Sequence, residues 1–128
     1  ALGLKDFRNE AAAHYQIPED KLPERALVHF KKCHELAPDD FVYAADLAEA
    51  YLSVRPLHKA KAHAMWQKAR KLTENPRQLQ WIELQVAFLE IEDGQYPKAE
   101  LLLKKVTDPT LDSLKAKVVS AIKAARKQ

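Results

Sequence analysis

Three residues with metal-binding side chains lie close together in the sequence, at His29, Cys33 and His34. Imidazole and thiolate groups are ligands that zinc prefers, and His29 and Cys33 would share one face of a helix because they are four residues apart. A structural zinc site needs four ligands, however, and no second His/Cys pair occurs at ligand spacing elsewhere in the chain. The sequence therefore predicts neither a metal site nor a cofactor.

Residues suited to catalysis are equally sparse. The chain has only two glycines, no glycine-rich phosphate loop and no serine in a nucleophile turn. The adjacent acids Asp39 and Asp40 are explained by capping of a helix start. His14 and His34 would titrate near neutral pH, but no pairing of a base with a nucleophile is evident. We therefore expect that the protein is not an enzyme.

A basic stretch is the best argument for an anionic partner. No acid occurs between Glu49 and Glu74, and nucleic acid or an acidic surface would bind such a stretch through its positive charges. On a helical wheel these charges spread around the whole polar half, as a solvated outer face would. We favour that second interpretation and keep the anionic partner as an alternative. The basic residues are Arg55, Lys59, Lys61, Lys68, Arg70 and Lys71.

Composition indicates an all-α protein. With 128 residues and 47% hydrophobic content, the chain is long enough for a single domain with one core. Helix-forming residues dominate and glycine is rare. No segment approaches the about 18 uncharged apolar residues that a membrane span requires. The net charge of +3 is too small to indicate nucleic acid by itself.

Two features bear on origin and compartment. The single cysteine, Cys33, excludes an internal disulfide and slightly favours a reducing, cytoplasmic compartment. The sequence begins at Ala1 and not at methionine, so we expect a fragment of a longer protein from which any signal peptide would already be missing.

The seven prolines divide the chain into about seven predicted helices, because proline fits the first turn of a helix and breaks its interior. Asp39 or Asp40 and Asn75 are predicted caps, and Gly94 is a predicted helix end. The predicted helices cover 4–16, 23–36, 41–54, 56–73, the segment from 76 to Gly94, 97–106 and 110–126.

The helix that ends at Gly94 is apolar on two sides. At about 100° per residue, one stripe contains Trp81, Leu84, Phe88 and Ile91, and a roughly opposite stripe contains Leu79, Ile82, Val86 and Leu89. Such a helix needs either neighbours on both sides, or neighbours on one side and a ligand on the other.

Three predicted helices share a repeated triplet with the spacing i, i+4, i+7. Each triplet places a small residue first and a larger one next on a single face, which allows a neighbouring helix to approach closely. The first positions, 26, 62 and 99, are separated by 36 and 37 residues, an interval typical of helical-hairpin repeats. The triplets are Ala26, Phe30 and Cys33; Ala62, Trp66 and Ala69; and Ala99, Leu103 and Val106.

These features resemble the tetratricopeptide repeat family between about residues 7 and 109. Besides the small–large–small triplets, Leu47, Ala48 and Tyr51 resemble the family's first-helix pattern, and Gly94 and Tyr96 resemble its turn between helices. The resemblance implies one domain over residues 1–128, with antiparallel hairpins at about 4–37, 39–74 and 76–106 and a capping helix at 109–127. In that arrangement Cys33 would be a small inward-facing residue.

The family resemblance also implies a function. Its members form a right-handed superhelix whose concave groove binds a peptide or a helix of a partner protein, so we expect an interaction scaffold. Alternatively, the capping helix or a second copy of the chain would cover the apolar stripe around Trp81, which would make the module structural or oligomeric. The predicted groove residues are Val42, Ala45, Glu49, Leu52, Trp81, Leu84, Phe88 and Ile91.

One family subtype is disfavoured. Chaperone-binding members hold a peptide carboxylate with basic and amide side chains. Under the resemblance, the residues at the corresponding positions here are Asp46, Trp81 and Gln85. An acid at the first of these positions would repel a carboxylate. We therefore predict no tight binding of an acidic C-terminal tail.

Overall fold

The computed structural model describes residues 22–127, and every regular element in that range is helical. This confirms the all-α class for the described residues, which contain no strand. The first predicted helix, 4–16, lies outside them. The elements are α1 (Leu22–Leu36), α2 (Phe41–Ser53), α3 (Lys59–Lys71), α4 (Pro76–Glu92), α5 (Tyr96–Leu103), a 3₁₀ turn (Pro109–Leu111) and α6 (Asp112–Arg126).

The helix boundaries follow the predicted caps where a side chain satisfies the backbone locally. The Asp40 carboxylate accepts a hydrogen bond from the Tyr43 N–H at the start of α2. The Asn75 side chain accepts from two backbone N–H groups in the first turn of α4, where Pro76 stands. Gly94 follows α4 with a φ of 71°, a conformation that costs glycine little.

Other boundaries differ from the prediction by a few residues. The helix predicted from Pro56 begins at Lys59, because His58 has non-helical angles of φ −91° and ψ 68°. The helix predicted to continue to Val106 ends at Leu103; the N–H groups of Lys105 and Val106 bond to carbonyls three residues back, as in a 3₁₀ turn. Val106 is nevertheless buried, as its place in the repeated triplet predicts.

Ala69 has two roles near the end of α3. Its side chain has no exposed surface, as its place in the second triplet predicts. Its backbone carbonyl also accepts a hydrogen bond at 3.0 Å from the N–H of Leu72, three residues further on. This tighter bond closes the last turn and α3 ends at Lys71, so the predicted continuation of the helix to Thr73 is wrong.

Contacts divide the chain into two compact units between Leu72 and Thr73. In the first unit, α2 packs against both α1 and α3. Two of the repeated triplets lie here, and Cys33 is their one half-buried member, whereas a fully inward position was predicted for it. Trp66 is fully buried between two small residues of its own helix, which leave room for the indole in the core. The buried members of these triplets are Ala26, Phe30, Ala62, Trp66 and Ala69.

In the second unit, α4 packs against α5 and α6, and the third triplet, Ala99, Leu103 and Val106, is buried. Apolar residues of α4, α5, the 3₁₀ turn and α6 form one core cluster. The cluster contains Leu84, Ala87, Ala99, Leu103, Val106, Leu111, Val118 and Ile122. The helices in contact include α2 with α3 in the first unit and α4 with α5 in the second. No helix within residues 22–127 is both long and apolar enough to cross a membrane.

Candidate functional site

One side of α2 combines an exposed apolar residue with two acids. Val42, Asp46, Glu49 and Ser53 follow the spacing i, i+4, i+7 and i+11, which places them along a single stripe of the helix. We call this stripe the α2 face. The rest of α2 consists largely of buried side chains that pack in the first unit. On the α2 face Val42 is exposed, Glu49 and Ser53 are half-buried, and Asp46 is buried.

Small and aromatic residues fix α2 in place. Four of its 13 residues are alanines, and all four are buried, so the neighbouring helices can approach its backbone closely. Two groups contact the ring of Tyr51. The Lys31 Nζ of α1 lies 5.8 Å from the ring centre, and the His58 ring stacks on it with the ring centres 5.9 Å apart. These contacts hold the α2 face on a rigid support.

The side chains of the α2 face differ in exposure. Val42 is 44% exposed, which is high for an apolar residue on an ordered helix. Glu49 and Ser53 are half-buried, and the Ser53 hydroxyl donates to the Glu49 backbone carbonyl at 3.4 Å. Asp46 is only 8% exposed. A carboxylate buried to this extent normally has an ion pair or hydrogen bonds.

No described residue provides such a partner. Neither carboxylate receives a hydrogen bond or forms an ion pair within residues 22–127. Burial raises the pKa of Asp46 to about 6; the positive charge of the amino terminus opposes part of the rise, and the negative charge of Asp40 adds to it. Burial likewise raises the pKa of Glu49 to about 7, with a further contribution from Asp46 one turn away. Near neutral pH the pair is therefore partly protonated.

The predicted groove residues of the first unit do not all reach the surface. Val42 is exposed, and Glu49 and Leu52 are half-buried. Ala45 is 2% exposed and belongs to the core. Asp46 was not predicted as a groove residue, only as an acid that would repel an acidic C-terminal tail. It lies on the α2 face between Val42 and Glu49.

The predicted stripe on α4 lies largely within the second unit. Leu84 has no exposed surface and is a member of the core cluster. Trp81, Phe88 and Ile91 are half-buried and pack against the same cluster, to which α6 contributes Val118 and Ile122. The opposite stripe is also buried at Ile82, Val86 and Leu89. Packing within the unit thus buries much of the apolar surface that was predicted to contact a ligand.

The possible metal ligands on α1 also have local partners. His29 Nε2 lies 3.6 Å from the Cys33 Sγ, so these two side chains do meet across one helical turn. His34 points elsewhere, with its Nε2 3.0 Å from the Lys68 Nζ of α3. Within residues 22–127, no group of three or more His, Cys, Asp or Glu side chains is arranged to hold a metal ion.

Some of the basic residues near α3 are engaged in contacts. Besides Lys68, Arg70 donates to the Gln67 side chain at 2.7 Å, and Arg55 donates to the backbone carbonyls of Leu52 and Val54. Lys61 and Lys71 are exposed. This distribution fits a solvated outer surface better than a concentrated anion site.

The acidic pair is the feature that the sequence analysis missed. A weak signal was present, because two acids three residues apart occur in a helix otherwise rich in alanine and aromatic residues. Periodicity cannot show whether such acids have partners. Comparisons with known proteins add no further assignment: the chain matches no protein-family model, no curated protein and no solved structure.

Proposed function

We propose that this chain is a tetratricopeptide-like interaction scaffold that binds a peptide or helix of a partner protein at the α2 face. One observation carries the proposal. Exposed Val42 lies on the same stripe as Asp46 and Glu49, two carboxyls whose pKa values are raised. Exposed apolar surface and perturbed acids are both enriched where proteins bind other molecules.

The repeat pattern supports the choice of α2. Under the register of the repeated triplets, α2 is the first helix of a hairpin, and first helices line the concave groove of a right-handed superhelix in this family. Val42 and Glu49 are groove positions in that register. The burial of every triplet residue except Cys33 fits the same register.

The α4 stripe supports the proposal less. Leu84 lies in the core, and the three remaining members contact that core from its edge. A second copy of the chain would meet the same limitation, so self-association through this stripe is the weaker alternative.

A peptide-display selection on the immobilised chain tests the proposal. Peptides enriched by the wild-type chain are measured against two matched variants, Val42→Lys on α2 and Val28→Lys on α1. Both valines are exposed, at 44% and 66%, so neither substitution should disturb the core. We expect Val42→Lys to weaken binding by about 10-fold or more, because it places a charge where the partner would bury apolar surface.

The control distinguishes specific binding at the α2 face from nonspecific binding elsewhere on the chain. Val28→Lys should leave affinity within about twofold of the wild type. No enriched peptide, or an equal loss in both variants, would contradict the proposal. Light scattering of the chain alone checks the alternative, since a tight dimer disrupted by Phe88→Ala would favour self-association.

A further inference from the structure

We draw no further inference here: the strongest candidate, the surface beside the turn between α1 and α2 where Leu36, Val42 and Tyr43 are exposed, shares Val42 with the α2 face already described, and nothing in the described part of the chain shows what covers it.

Discussion

Replacing Asp46 by asparagine should stabilise the protein, and the gain should depend on pH. Burial raises the pKa of this carboxyl from 3.8 to about 6 in the folded chain. A group whose pKa is higher in the folded state favours folding while it is protonated, at low pH. That contribution is lost as the pH rises through the folded pKa. The contribution of Asp46 to stability should therefore decline between about pH 4 and pH 7.

The structure sets the size of the effect. A shift of about two pKa units corresponds to about 3 kcal/mol at full strength. Remaining hydration at the edge of the α2 face and coupling to Glu49 reduce this value, so we expect Asp46→Asn to raise the free energy of unfolding by about 1–2 kcal/mol at pH 7.5. At pH 4 the two proteins should differ by less than about 0.5 kcal/mol, because the wild-type carboxyl is then mostly protonated.

Urea denaturation of both proteins at half-unit intervals from pH 4 to pH 8 measures this difference directly. Histidine titration acts on both chains alike and cancels in the subtraction. Glu49→Gln should behave similarly, and the double variant should gain less than the sum of the single variants, since Asp46 contributes to the raised pKa of Glu49. A gain that is constant across the pH range, or a loss at pH 7.5, would refute the reasoning.

Further outcomes follow from single contacts. Asn75→Ala should cost about 0.5–2 kcal/mol in urea denaturation because it removes the α4 cap, whereas Gln95→Ala should cost little because Gln95 makes no side-chain cap hydrogen bond. Trp66→Ala should cost about 3–5 kcal/mol, since the indole is fully buried. Burial and the Lys68 charge lower the pKa of His34, so Lys68→Met should raise that pKa in an NMR titration, and an unchanged pKa would contradict the contact. Stability linked to His34 should be present above about pH 6.5 and decline as the pH falls, which denaturation of a His34→Ala variant would reveal by a flatter profile. A peptide with an acidic C-terminal tail should show no micromolar affinity in calorimetry, because the α2 face is itself acidic.

Much of the fold could be predicted because it depends on local chemistry. The Asp40 and Asn75 caps and the turn at Gly94 each satisfy backbone groups within a few residues, so sequence order alone identifies them. The i, i+4, i+7 triplets were identifiable because helical spacing determines which side chains share a face. Phe30 and Trp66 are buried as that spacing requires.

The candidate site was less predictable because it depends on what lies opposite each helix. Periodicity showed that α4 is apolar on two sides, but could not show that Leu84 lies inside a cluster to which α6 contributes. Nor could it show that Asp46 is buried. Both properties arise from contacts between segments distant in sequence, and a single sequence carries no record of those contacts.

The central claim is that a partner binds at the α2 face, beside two carboxyls with raised pKa values. Carbon-13 NMR titration of the Asp46 and Glu49 carboxyls, in the free chain and with a peptide selected by display, tests it most directly. In the free chain we expect pKa values of about 6 and 7, and we expect the bound peptide to shift both. Ordinary pKa values in the free chain, or values that the peptide leaves unchanged, would contradict the account.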